Sequence, residues 1–101
     1  MEDTQFHHIS KALADPTRFE ILQMLAASDE LYCSEIKARL TVAQPTISHH
    51  LKELTYADLV LDRREGQFIY YRLRRDVLAE YFALLRQRLA IPPHNLPSLS
   101  E

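Results

Sequence analysis

The sequence contains only one cysteine and one glycine, and it has no tryptophan. Because Cys33 is alone, an internal disulfide framework is excluded. No apolar run approaches the ~20 residues that span a bilayer. The N-terminal MEDTQFHHIS also lacks the basic region and apolar core of a signal peptide. We therefore expect no membrane partner and a cytoplasmic location.

The composition is that of one folded domain, and the charges are distributed unevenly along the sequence. Of the 101 residues, 47% are hydrophobic and 26% charged. Residues 1–36 carry two basic and seven acidic side chains, residues 37–75 eight basic and four acidic, and residues 76–101 two basic and three acidic. A basic middle can attract phosphate even though the net charge is −2. On charge alone, a solvated surface is the plainer interpretation.

Apolar spacing and start signals predict five helices. They are a short one around Ile9 and Leu13, one after Asp15-Pro16, a short one opened by Cys33 or Ser34, one from Gln44-Pro45 to about Ala57, and one from about Arg75 to Ile91. In the second helix, we expect a buried apolar side made of Phe19, Leu22 and Ala26 and widened by Ile21, Met24 and Leu25.

The period changes in LVLDRREGQFIYYRL, which is rich in β-branched and aromatic residues. It predicts two strands, with Gly66 at a position of positive φ in the hairpin turn. The order ααααββα is that of a mainly α fold with a β-hairpin wing, a winged helix-turn-helix, over residues 1–91. Residues 92–101 are Pro-rich, and we expect them to form a flexible C-terminal tail.

Two adjacent histidines lie in the stretch TISHHL of the fourth helix. At 100° per residue, His49 falls about 200° from Ile47, opposite the apolar side, and His50 about 300°, at its edge. Adjacent helical residues do not face each other, so the pair cannot chelate one metal as an i, i+4 pair can. We expect His49 to face outward and His50 to be half-buried against the preceding helix.

The outward side of the fourth helix and the hairpin offer candidate DNA contacts. Short polar side chains and a lysine suit base edges and phosphates, and the hairpin arginines suit flanking phosphates or the minor groove. The alternatives are an ordinary polar helix face and a solvated turn. The predicted DNA-binding residues are Gln44, Thr46, Ser48, His49, Lys52, Arg63, Arg64 and Gln67.

Three segments together, LADPTRFEILQML, QPTISHHLKELTYADLV and RREGQFIYYRL, resemble the arsenical-resistance-repressor (ArsR/SmtB) family of bacterial transcription factors over roughly residues 9–90. The resemblance implies a homodimer that binds double-stranded operator DNA as a repressor and is released by an inducer. It also implies dimerisation through the first and last helices.

The last helix supports pairing independently, since its apolar stripe is wide for a peripheral helix of a monomer. The alternative is that this stripe only caps the core of one chain. The predicted dimerisation residues are Phe6, Ile9, Leu78, Tyr81, Phe82, Leu85 and Leu89.

The metal sites that the resemblance implies are not matched by the residues present. Tyr32 and Ser34 stand at the thiolate positions of the soft-metal site, with Cys33 between them. The zinc positions hold Arg75, Val77, Arg88 and Ile91. We therefore predict no metal ligands and no cofactor.

Other sensing chemistries remain open, with an unknown small-molecule or redox inducer as the partner. Cys33, near a helix N-terminus, is a candidate redox sensor, against the plainer interpretation of a small buried side chain. His7, His8 and His94 could meet across a dimer and bind metal, against the plainer interpretation of solvated side chains.

No catalytic residue is predicted. The sequence has no Gly-rich phosphate loop, no carboxylate pair at useful spacing and no partners for a Ser/His or Cys/His triad. Outside DNA binding, the remaining hypothesis is a winged-helix module that binds protein.

Overall fold

The computed structural model describes residues 1–92, in which five helices and three strands follow one another. The elements are α1 (Asp3–Ala14), α2 (Pro16–Ala26), β1 (Leu31–Tyr32), α3 (Cys33–Arg39), α4 (Gln44–Tyr56), β2 (Val60–Glu65), β3 (Phe68–Leu73) and α5 (Arg75–Arg88). Two helices joined by a tight turn and followed by a hairpin confirm the predicted winged helix-turn-helix. None of the helices within residues 1–92 is long and apolar enough to cross a bilayer.

The helix starts follow from local chemistry. The side chain of Asp15 accepts a hydrogen bond from the Arg18 amide at 2.9 Å, and Pro16 occupies the first position of α2. Before α3, the Tyr32 amide donates to the Glu35 carboxylate at 2.9 Å. Ala43, the residue before α4, offers no side-chain cap. That start therefore depends on Pro45, whose missing N–H needs no partner in the first turn.

The wing is a regular antiparallel hairpin whose register runs from Val60↔Leu73 to Glu65↔Phe68. Gly66, at φ 62°, is the first of the two turn residues, the place where a type II′ turn requires positive φ. A third strand, β1, pairs with β3 through Leu31↔Tyr71, which gives the order β1-β3-β2. This strand was not predicted, because two residues carry no detectable periodicity.

The core lies where α1, α2, α4 and the start of the wing meet. Its side chains with no measurable exposure include Ile9, Ile21, Leu25, Ile36, Ile47, Leu54 and Leu59. In α2 the expected buried side is wrong for two residues, since Phe19 is 44% exposed and Ala26 is also exposed. The buried arc centres on Ile21 and Leu25, and Phe19 lies about 160° from Ile21.

The last helix ends at Arg88 rather than at Ile91. The Ile91 amide donates to the Arg86 carbonyl at 2.9 Å, and Ala90 takes a left-handed φ of 54°. This closing pattern caps the helix and turns the chain away. Apart from Pro92, the predicted tail lies outside the described residues.

Candidate nucleic-acid interface

The orientation of α4 is fixed by three core side chains on one side of the helix. Ile47, Leu51 and Leu54 are each at most 1% exposed. His49 on the opposite side is exposed, which confirms the predicted orientation of the helix. The polar face of α4 is therefore held outward by hydrophobic burial on its other side.

The structure brings the polar residues of α4 beside the wing, because β2 contacts α4. Ser48 and Lys52 line a cleft of about 460 Å³ together with Arg64 from β2. Nearer the start of α4, Gln44 lines a groove of about 620 Å³ that also contains Gln67 from the hairpin turn. In both the cleft and the groove, predicted DNA-binding residues of α4 thus lie beside a predicted DNA-binding residue of the wing.

The remaining predicted residues of α4 lie on the same exposed surface. Thr46 and His49 are exposed and make no side-chain hydrogen bond within residues 1–92. Free donors and acceptors on an exposed helix can be used for base edges. The start of α4 therefore carries unpaired polar groups where a major-groove helix needs them.

Arg63 is not brought to this surface. It lies on the opposite face of the wing, where its guanidinium hydrogen-bonds to Glu30 at 2.8 and 3.2 Å. It also pairs with Glu65 and lies 4.3 Å over the Tyr70 ring. The ion pair lowers the pKa of Glu30 and raises that of Arg63. Strand alternation places Arg64, but not Arg63, beside α4, so we withdraw Arg63 from the candidate contacts.

Tyr56 was missed by the sequence reasoning. It is 70% exposed at the end of α4 and lines the same cleft as Lys52 and Arg64. Its ring lies 5.0 Å from the ring of His8 on α1. At 100° per residue Tyr56 falls about 180° from Ile47, next to His49. Extending the helical wheel by one more turn would have found it.

His50 is half-buried as predicted, although its partner belongs to α2 rather than to the preceding helix. The Nε–H of Arg18 donates to Nδ1 of His50 at 3.0 Å, and an Asp15 carboxylate oxygen lies 3.9 Å from the same nitrogen. Burial lowers the pKa of His50 below its ordinary value. This contact links α4 to the start of α2.

The predicted dimerisation set divides into two groups. Phe6, Ile9 and Tyr81 are at most 7% exposed within one chain, where the Tyr81 hydroxyl lies 2.8 Å from the Ser10 hydroxyl. These three join α1 to α5 inside one chain and therefore expose little surface to a second copy. The rest of the set keeps exposed surface, with Leu78 and Leu85 half-buried, Phe82 52% exposed and Leu89 62% exposed.

The candidate sensing residues are dispersed. Cys33 is half-buried at the first position of α3 and lines the groove at the wing turn. His7 is exposed, whereas His8 faces Tyr56; His94 lies outside the described residues. Within residues 1–92, no three His, Cys, Asp or Glu side chains are grouped to hold a metal ion.

Comparison with known proteins gives consistent matches. A model described as a helix-turn-helix domain matches residues 13–63. The transcriptional repressor SdpR of Bacillus subtilis (strain 168) is 40% identical over 73% of this chain and 81% of its own length. The arsenic resistance transcriptional regulator ArsR1 of Pseudomonas putida is 40% identical over 77% of this chain and 61% of its own length, so the match spans less than two thirds of that relative.

Solved structures match in the same way. An ArsR-like transcriptional regulator from Rhodococcus sp. RHA1 aligns with a TM-score of 0.74 at 30% identity. The alignment covers 86% of this chain and 80% of that one.

Proposed function

The chain belongs to the ArsR family of DNA-binding transcriptional regulators, which are not enzymes, and we propose that it is a repressor that binds an imperfect palindromic operator as a homodimer. The relative SdpR of Bacillus subtilis is a transcriptional repressor, which favours repression over activation. The observation that carries the proposal is the exposed polar face of α4, held outward by Ile47, Leu51 and Leu54.

In this proposal α4 enters the major groove. Its first turns carry Thr46, Ser48 and His49, whose exposed side chains suit base edges. Lys52 and Arg64 border the cleft beside the helix, where they would meet the phosphates along the groove. Since binding would neutralise phosphates, we expect affinity to fall steeply with salt.

Homodimerisation is proposed to use the apolar side of α5. Phe82 and Leu89 are large apolar side chains exposed by more than half within one chain. They lie beside the half-buried Leu78 and Leu85 on the same helix. Pairing two chains about a two-fold axis would bury this surface and present two copies of α4 to two half-sites.

The inducer is proposed to act outside the two metal sites of the family. At the zinc positions, Arg75 donates to the Ala26 carbonyl at 2.9 Å. Arg88 pairs with Asp3 and lies 4.3 Å over the Phe6 ring. Two guanidinium groups with structural partners would repel a cation there.

The test is binding to duplex DNA selected by the protein from a random pool, with His49→Ala and Lys52→Ala as variants. We expect His49→Ala to weaken binding about tenfold or more, since a good base contact contributes about 1–3 kcal/mol. Lys52→Ala should weaken binding to all duplexes, because it removes a phosphate contact. Sedimentation should show unchanged assembly. Unchanged affinity in both variants would overturn the placement of α4, and no retention of any duplex at low salt would favour a protein-binding module.

A further inference from the structure

Among residues 1–92, one side-chain hydrogen bond joins α4, the proposed recognition helix, to α2. The donor is the Nε–H of Arg18 and the acceptor is Nδ1 of His50, 3.0 Å apart. The His50 side chain is 12% exposed, so water competes little for this bond. His50 is next in sequence to His49, and His49 lies on the outward face of α4.

The direction of this hydrogen bond fixes the protonation state of His50. Nδ1 can accept only while it carries no proton, so the bound ring is neutral with its proton on Nε2. Adding a proton to Nδ1 would set two donors against each other at 3.0 Å. The bond must then break, and the imidazolium must turn toward another acceptor.

An alternative acceptor is already in place. A carboxylate oxygen of Asp15 lies 3.9 Å from His50 Nδ1. The same oxygen accepts the capping hydrogen bond from the Arg18 amide at 2.9 Å. Protonated His50 would therefore compete for the cap of α2 while it repels the Arg18 guanidinium. Both effects would change how α4 packs against α2.

We propose that Arg18 and His50 are positioning residues that hold the recognition helix in its DNA-binding orientation, and that protonation of His50 releases this hold and weakens DNA binding. The inference rests on the proposed function, because it concerns the affinity of the same helix for DNA. Neither residue needs to touch DNA; both act through the placement of His49 and its neighbours.

The groups that act on the His50 ring oppose one another. Burial and the Arg18 and His49 side chains favour the neutral ring, whereas Asp15 from the turn before α2 favours the charged ring. No further group of the described chain perturbs it. The contribution of His50 is measured as the difference between wild type and a variant that cannot take up a proton at this position.

The test compares wild type with His50→Asn and His50→Leu in fluorescence anisotropy with a labelled duplex that the wild type has selected. The amide oxygen of Asn can accept from Arg18 in place of Nδ1 but does not titrate, whereas Leu offers no acceptor. Each titration is run at pH 7.5 and 5.5, with circular dichroism to verify folding. Arg18→Gln is measured in parallel, with the His50 pKa followed by NMR.

We expect His50→Asn to match wild type at pH 7.5. Between pH 7.5 and 5.5, wild type should lose about three- to tenfold in affinity relative to His50→Asn, since one pKa unit of coupling corresponds to tenfold. His50→Leu should bind more weakly than His50→Asn at both pH values, and Arg18→Gln should raise the His50 pKa.

Parallel pH profiles for wild type and His50→Asn, or equal affinities for folded His50→Asn and His50→Leu, would overturn the positioning role while leaving the proposed function intact. If wild type selects no duplex at either pH, the proposed function fails and this inference fails with it. The two failures are thus distinguished by whether wild type binds DNA at pH 7.5.

Discussion

Arg63 and Glu30 are joined by two hydrogen bonds, of 2.8 and 3.2 Å, across the outer face of the wing. They tie the hairpin to the turn before β1 and leave the next residue, Arg64, to face the cleft beside α4. Two consecutive arginines therefore serve different purposes, since neighbouring strand residues point to opposite faces.

This difference gives a matched pair of variants. We expect Arg64→Ala to weaken binding to all duplexes and to reduce the slope of log affinity against log salt by about two, because one phosphate contact is lost in each half of the dimer. Arg63→Ala should leave that slope unchanged, because its charge is already paired. Anisotropy at several salt concentrations measures both. A reduced slope in Arg63→Ala with none in Arg64→Ala would reverse the assignment.

Phe82 should be necessary for pairing of two chains. Phe82→Glu would place a charge in the proposed interface and is expected to give monomers in sedimentation equilibrium, with weakened operator binding. Leu61→Glu is the control, since Leu61 is similarly exposed (45% against 52%) but lies on β2. Dimeric Phe82→Glu, or monomeric Leu61→Glu, would show that the interface lies elsewhere.

Acid should destabilise the fold through His50. Its pKa is lowered below the ordinary 6.5 by burial, so the unfolded chain takes up the proton first. Stability is therefore complete above pH 6.5, falls as the pH decreases through it, and levels off below the folded pKa. The lowered pKa of Asp15 acts only further into acid, below its ordinary 3.8.

Urea unfolding between pH 7.5 and 5.5 measures this effect. We expect the midpoint of wild type to decrease more than that of His50→Asn, which lacks the titrating group. Equal decreases would show that His50 does not cause the pH dependence.

The end of α5 stores strain that a glycine should relieve. Ala90 has φ 54°, a left-handed conformation that costs an L-residue about 1–2 kcal/mol. We expect Ala90→Gly to raise the free energy of unfolding by about 1 kcal/mol. Ala79→Gly, at an exposed position inside α5, should lower it by about 0.5–1 kcal/mol. A destabilised Ala90→Gly would contradict the capping role of that residue.

The sequence predicted the features that depend on local chemistry. Ile47, Leu51 and Leu54 determine the orientation of α4 by periodicity alone, and Gly66 marks the hairpin turn by its need for positive φ. What it could not predict depends on contacts between distant segments. The pairing of Arg63 with Glu30 and of Arg18 with His50 joins residues more than 30 positions apart.

The candidate DNA-binding residues could likewise be predicted only where they depend on local periodicity. Thr46, Ser48, His49 and Lys52 follow from the helical period, whereas the cleft that joins Lys52 to Arg64 requires the wing to fold back along α4. The buried positions of Phe6, Ile9 and Tyr81 could not be separated from a dimer contact, because an apolar stripe is the same pattern in both cases.

Methylation interference at guanine N7 on the selected duplex tests the proposed function most directly, because N7 is exposed only in the major groove. If two copies of α4 bind a palindrome, interference should occur in two symmetric clusters with centres about 10 base pairs apart. The clusters should disappear with His49→Ala and Lys52→Ala combined. A single cluster, or no interference at any guanine N7 of a duplex that the protein still binds, would contradict a dimer that reads DNA through α4.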